Sequence, residues 1–307
     1  MPQQARHISG RTLRDHLFRQ AEAEVSGLAA KGINVGLTVV QVGDNAASKV
    51  YVKSKHKAAT KLGIRSEIIQ LDADTTQEQL EQTLTELSER TSVHGILLQL
   101  PLPRGLEAQP ALECIAPVKD VDGLTIRNTG LLELGEPDGH RACTPLGVMR
   151  LLESADVDLK GCNAVMIGRS NLVGRPLASL MGLASATVTI CHRYTTDLRE
   201  HTSKADVVVV AAGQPGLVTG DDLKPGAVVI DVGITPGTDS EGNRKLYGDC
   251  DADSCARVAG LITPVPGGVG PMTVASLMTN VVDAACLQAD LPVPVWNAKN
   301  ADAIQAA

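Results

Sequence analysis

Four lysines, Lys49, Lys53, Lys57 and Lys61, recur every four residues after Asp44-Asn45, and a fifth, Lys55, falls off their row. Asp44-Asn45 is an N-cap signal, and residues 46–62 run without Gly or Pro, as a helix should. At roughly 100° per residue the four lysines make a charged face, whereas Lys55 shares the opposite stripe with Tyr51, Ala58 and Leu62. An amine on an apolar stripe is partly desolvated, which disfavours its charged form and makes it a usable base near neutral pH. The competing outcome is a packed lysine stem whose ammonium reaches water. Two further polar residues stand where ligands gather. Gln99 lies near the carboxyl end of an apolar strand, 95–100, although a lone amide there would also cap a loop. Asp122 sits in Lys119-Asp120-Val121-Asp122-Gly123, where an Asx turn would equally use it.

The second half points to phosphate chemistry. A strand at 164–167 feeds Gly168-Arg169-Ser170-Asn171-Leu172-Val173-Gly174-Arg175-Pro176, a glycine loop opening a helix with Pro176 in its first turn. Its spacing is G-x-S-x-x-x-G rather than G-x-G-x-x-G, so a plain strand-to-helix turn stays open. A NAD-specific sheet would end the next strand in Asp or Glu; here it ends Cys191-His192-Arg193. Arg193, with Arg169 in the loop, is placed to pair with a 2′-phosphate, so NADP is expected over NAD. Ordinary surface charge is the alternative for both arginines. The run Asp249-Cys250-Asp251-Ala252-Asp253 fails as a calcium loop, because position 6 is Ser254 and position 12 is Gly260. A solvated acidic turn is expected there instead. No H-x-x-x-H pair and no G-x-S-x-G elbow occurs, so neither a metal nor a serine triad is expected.

Apolar β-branched runs alternate with amphipathic stretches, the pattern of a parallel sheet covered by helices. Helices are expected at 11–30, 76–90 and 273–287, and strands at 35–42, 67–71 and 95–100. A turn-rich segment, 101–141, ends in a Gly/Pro/Asp cluster at 135–139, where a domain boundary falls. Four more strands, at 164–167, 187–191, 207–210 and 228–233, make a doubly wound sheet. The fold class is thus α/β: two α/β domains, the second a Rossmann-like doubly wound parallel sheet. At 43% hydrophobic and 21% charged, the 307-residue chain is globular, and a net charge of −7 argues against a nucleic-acid groove. No apolar run approaches the ~18 residues of a membrane span, and the first residues lack a secretory signal. Seven scattered cysteines without C-x-x-C suit a reducing compartment, so a cytoplasmic protein is expected.

Taken together, these segments resemble the bifunctional methylenetetrahydrofolate dehydrogenase/cyclohydrolase family. The matching residues are Val42-Gly43 with Ala47-Ser48, Tyr51-Val52-x-x-Lys55-x-Lys57, and the stretch from Gly95 to Pro103 containing Gln99-Leu100-Pro101. Lys119-Asp120-Val121-Asp122-Gly123, Cys143-Thr144-Pro145, Gly168-Arg169-Ser170-x-x-Val173-Gly174, Ala186-Thr187-Val188-Thr189 with Cys191-His192, and the block from Ile262 to Thr273 also match. The resemblance implies that 5,10-methylenetetrahydrofolate gives a hydride to NADP, and that water then converts the methenyl cation to 10-formyltetrahydrofolate. It implies a place in one-carbon metabolism and purine biosynthesis, and a homodimer. Lys55 would be the catalytic group, Gln99 its partner, Asp122 the holder of the pterin amide, and Tyr51 part of the folate stack. Leu100, Pro101, Pro266, Gly267 and Gly268 would line the substrate site. Gly168, Arg169, Ser170, Val173, Gly174, His192, Arg193 and Ile234 would meet the cofactor.

The implied domains are 1–140 with 272–297 for folate and catalysis, 141–271 for NADP, and a disordered tail at 298–307, with an interdomain active-site cleft. Residues 233–242 look like a lengthened loop, and Ile8-Ser9-Gly10-Arg11 replaces the family's Asp-Gly-Lys opening. Two rival readings are a monofunctional dehydrogenase and a non-catalytic dinucleotide-binding protein. Intact Tyr51, Lys55, Gln99 and Asp122 argue against the first, and a non-catalytic protein would have little reason to keep Lys55 on an apolar stripe.

Overall fold

A computed structural model describes residues 4–239, 241–299 and 303–305. The chain begins β1 (Arg6–Ile8), α1 (Gly10–Ala30), β2 (Gly36–Val42), α2 (Ala46–Lys61), β3 (Arg65–Leu71), α3 (Gln77–Glu89) and β4 (Gly95–Leu98). It continues α4 (Ala108–Glu113), α5 (Ile126–Glu133), α6 (Cys143–Ser154), β5 (Asn163–Ile167), α7 (Gly174–Leu183), β6 (Thr187–Cys191) and α8 (Leu198–Thr202). Then come β7 (Val207–Val210), β8 (Val228–Asp231), β9 (Thr235–Thr238), β10 (Arg244–Tyr247), α9 (Ala252–Ala256), β11 (Leu261–Ile262), α10 (Val269–Gln288) and β12 (Ile304–Gln305). Two compact units emerge. Leu17–Cys143 and Val274–Trp296 form the lysine unit; Met1–His16, Thr144–Thr273 and Asn297–Ala307 form the glycine-loop unit.

The lysine unit is built on a parallel sheet ordered β3-β2-β4. Its central strand, β2, is buried along its whole length, as the unbroken apolar run requires. α3 starts with a capping box, Thr76 and Gln79 serving each other's backbone, and buries Leu80, Leu84 and Leu87 at helical spacing. Each such leucine contributes about 1.5–3 kcal/mol of burial. Gly95 is required by close packing, because a Cβ there would stand 2.7 Å from Val121 Cγ1. The segment expected to be turn-rich, 101–141, also holds α4 and α5. Both are short, and α5 is started by Thr125, whose side chain accepts from Asn128 N.

The glycine-loop unit carries a seven-stranded sheet ordered β12-β1-β11-β8-β7-β5-β6. All neighbours are parallel except β12 on β1. Winding reverses between β5 and β7, so the carboxyl ends of these strands flank the crevice where such sheets bind ligands. β1, β11 and β12 were not foreseen, being two or three residues long and too short to show a period. They also correct the expected domain limits: Arg6–Ile8 belongs to this sheet and not to the lysine unit. The tail was expected to be disordered from 298, yet Ala298 and Ala303 are buried and Ile304 pairs with Ile8. Residues 300–302 and 306–307 of that tail lie outside the described residues. The lengthened loop at 233–242 contributes β9, which pairs antiparallel with β10 from Thr238↔Arg244 to Thr235↔Tyr247.

Candidate active site

Asn45 caps α2 by accepting from Ser48 N at 3.0 Å, which sets the rotation of the helix. The buried row is Ser48, Val52, Lys55, Ala59 and Leu62. It corrects the expected stripe by one residue: Tyr51 is 45% exposed and Ala58 half-buried, while Lys55 belongs to both rows. Lys53, Lys57 and Lys61 face water as anticipated, and Lys49 pairs with Asp44. Lys55 is only 9% exposed, and its Nζ donates to Gln99 Oε1 at 3.0 Å. The snorkelling outcome is therefore excluded.

The direction of the Gln99 amide follows from its other bonds. Its backbone N donates to Val40 O at 2.8 Å, continuing the β4–β2 ladder, and its Nε2 donates to Leu100 O at 2.6 Å. With the amide nitrogen held by its neighbour's carbonyl, Oε1 is turned to the lysine. Asp122 is half-buried, and desolvation raises its carboxyl above the ordinary aspartate range. The Lys55 charge and the Cys143 thiol oppose that rise, and Asp120 adds to it. Lys55, Gln99 and Asp122 are thus brought into one neighbourhood by α2, the end of β4 and the loop between α4 and α5. The buried Cys143 thiol is pushed well above its ordinary value by burial and then by Asp122. Leu100 is half-buried, Pro101 exposed, and the peptide joining them cis.

In the glycine-loop unit the backbone, not side chains, shapes the site. Gly168 adopts φ +114°, and a Cβ there would stand 2.3 Å from Ala211 O. Gly174 is equally constrained, its would-be Cβ 2.2 Å from Gly168 O. Ser170 ties the loop to α7: its Oγ accepts from Val173 N at 3.2 Å and Gly174 N at 3.5 Å, and its carbonyl accepts from Arg175 N at 3.1 Å. These close approaches suit a diphosphate laid against main chain at a helix start. His192 forms a turn beyond β6, its N donating to Thr195 Oγ1 at 2.8 Å and its Nδ1 accepting from Tyr194 N. Arg169 and Arg193 are exposed, the latter lying 4.6 Å over the Tyr194 ring. Ile234 is 38% exposed beside Gly270. Pro266, Gly267 and Gly268 also belong to this unit; the Val265–Pro266 peptide is cis and Gly267 has φ +121°.

The acidic run at 249–253 holds the residue that sequence reasoning missed. Asp251 and Asp253 are exposed as expected, but Asp249 is fully buried. Its Oδ2 accepts from Ala212 N at 2.6 Å and Gly213 N at 2.9 Å, fixing the loop after β7 that faces Gly168. Asp231 in turn accepts from Gly233 N, Asp249 N and Cys250 N, each at 2.9 Å. Desolvation raises the Asp231 carboxyl, three backbone donors lower it, and Asp249 raises it further. The two carboxylates also demand two glycines: a Cβ at Gly248 would meet Asp231 Oδ2 at 2.0 Å, and one at Gly233 would meet Asp249 Oδ1 at 2.4 Å. An Asp-x-Gly facing a Gly-Asp is the signal that could have revealed this interlock. Among the described residues no helix is long and apolar enough to cross a membrane.

A dinucleotide-type parallel sheet joined to an α/β unit bearing a buried lysine–glutamine pair defines a two-domain nicotinamide-nucleotide dehydrogenase. Residues 8–122 match the catalytic domain, and residues 142–289 the NAD(P)-binding domain, of tetrahydrofolate dehydrogenase/cyclohydrolase. The chain belongs to that family. It is 51% identical over 281 residues to the bifunctional protein FolD of Bordetella bronchiseptica, covering 92% of this chain and 98% of that protein. Identity to FolD of Nitratidesulfovibrio vulgaris is 54% over 265 residues, covering 85% and 90%. The crystal structure of the bifunctional FolD from Campylobacter jejuni superposes with a TM-score of 0.88 at 45% identity, covering 91% and 97%. The Trypanosoma brucei enzyme, solved with NADP cofactor and an inhibitor, gives 0.89 at 39% identity, covering 94% and 99%.

Proposed function

We propose that this chain oxidises 5,10-methylenetetrahydrofolate to the methenyl form with NADP and then hydrolyses that product to 10-formyltetrahydrofolate. The observation that carries the reading is the buried Lys55 Nζ bonded to Gln99 Oε1. Bound NADP supplies the hydride acceptor. Gly168, Ser170, Val173 and Gly174 offer it close backbone, His192 and Ile234 flank it, and Arg169 and Arg193 pair with the 2′-phosphate. Asp122 receives the paired N–H donors of the pterin, a carboxylate suiting two parallel donors. Tyr51, Leu100, Pro101, Pro266, Gly267 and Gly268 line the folate.

In the second step water adds to the methenyl carbon and one of its protons passes to Lys55 Nζ. As the carbinolamine hydroxyl loses its proton and becomes the formyl carbonyl, the C–N5 bond breaks and N5 gains a proton, which leaves the formyl group on N10 and one proton released to water. Gln99 holds the amine without adding charge. The reading includes a cytoplasmic homodimer that needs no metal.

Lys55→Met tests the base. Methenyl hydrolysis should fall by about 10²–10⁴-fold, with NADP affinity and the unfolding midpoint retained. Undiminished hydrolysis would overturn the assignment. Following methenyl absorbance and formyl product together separates this reading from a monofunctional dehydrogenase, in which the methenyl signal would accumulate without decay.

A further inference from the structure

α10 is buried along almost its whole length, and its central turns carry Met278, Val281, Val282, Ala284 and Ala285 at full burial. One amide interrupts them. Asn280 is 2% exposed, and its Nδ2 donates to Val121 O at 2.9 Å and to Arg141 O at 3.0 Å. Both protons of that nitrogen are therefore used. Val121 O belongs to the peptide bond that leads into Asp122, and Cys143 Sγ donates to the same oxygen at 3.3 Å. Arg141 O lies on the strip against which the next residue is pressed: Gly123 has φ +67°, and a Cβ there would stand 2.7 Å from Arg141 C.

The rest of the loop is fixed on its other side. Asp120 Oδ2 accepts from Thr125 N at 2.8 Å and Asn128 Nδ2 at 2.9 Å, and Lys119 Nζ donates to Arg90 O at 2.7 Å. Between these anchors, the peptide preceding Asp122 is held by Asn280. We propose that Asn280 is a positioning residue for Asp122, clamping the two carbonyls on either side of its loop and so aiming the carboxylate at the substrate. The substrate half of this statement rests on the folate role assigned to Asp122 above.

The test uses the full-length enzyme with Asn280→Leu, which removes both donors, and Asn280→Ser, which keeps one hydroxyl donor and covers the case in which the leucine variant does not fold. The Asp122 carboxyl is titrated by NMR in labelled protein. KM for methylenetetrahydrofolate, KM for NADP and kcat are measured alongside. A displaced clamp should move the Asp122 titration midpoint and raise the folate KM about tenfold, while NADP KM stays constant and kcat changes less. Combined with Asp122→Asn, the Asn280 substitution should add little, because both act through one carboxylate. An unmoved Asp122 titration, or fully additive effects in the double variant, overturns the clamp. If Asp122→Asn alone left the folate KM unchanged, its folate role would fall, whereas the titration would still decide whether Asn280 sets the aspartate.

Discussion

The two units fix their key loops with buried polar groups of opposite character. In the lysine unit an amide, Asn280, donates to two carbonyls. In the glycine-loop unit a carboxylate, Asp249, collects two backbone N–H groups. The difference follows from what each loop must present. A loop that offers a carboxylate gains from being held by its carbonyls with a group that brings no charge. A loop that approaches an anion must keep its own donors in order, and a buried acceptor behind it does so. Side-chain chemistry dominates the first site and main-chain geometry the second.

The largest break in this contrast should come from Asp249→Ala. It removes the buried carboxylate that holds two backbone N–H groups and should cost about 3–5 kcal/mol, read as a drop in the unfolding midpoint. Asp249→Asn keeps an oxygen for Ala212 and Gly213 and should recover most of that loss. Gly168→Ala places a methyl against Ala211 O at a positive φ; a destabilisation of about 2–3 kcal/mol is expected. Its NADP KM should rise sharply with the folate KM little altered, and equal changes would remove the distinction between the two sites. Arg169→Ala with Arg193→Ala removes both charge-assisted partners of the 2′-phosphate and should raise NADP KM by about tenfold or more, leaving NAD KM nearly constant. Equal effects on both coenzymes would return the arginines to ordinary surface charge.

The smallest effect sharpens the comparison through pH. Burial lowers the affinity of His94 and His140 for protons below the free value of 6.5; Lys119 assists at His94, whereas Val118 O and Asp120 partly oppose the shift at His140. Both belong to the lysine unit. The unfolded chain therefore takes up protons first, so this contribution is complete above about pH 6.5 and declines as pH falls through that value. Urea unfolding followed between pH 7.5 and pH 5.5, with His140→Gln as control, should show a shallower acid loss in the variant.

Legibility in the sequence tracked the length of the signal. β7, an unbroken β-branched run, β6, β-branched up to Cys191, and the cap at Asn45 were readable because periodicity and capping chemistry are local. Lys55 was readable for the same reason, as a charge out of phase with four others. Tyr51 was misplaced by one residue because 3.6 residues per turn leaves flanking positions ambiguous. β1, β11 and β12 carry too few residues to be seen, and they exist through pairing with distant strands. Asp249 looked solvated because its neighbours Asp251 and Asp253 are; only the carboxylate–glycine interlock with Asp231 and Gly233 buries it. Asn280 left no local mark, since its partners are remote.

That remoteness has a consequence during synthesis. Asn280 and Val121 are 159 residues apart in the chain. At ribosomal speeds of about 5–20 residues per second, the Asp122 loop waits roughly 10–30 s for its anchor to be translated. Lys55 and Gln99 can meet early, but the Asp122 loop acquires its Asn280 anchor only after a long further stretch of chain has been made, which leaves this loop as a segment that nascent-chain chaperones would meet unfinished.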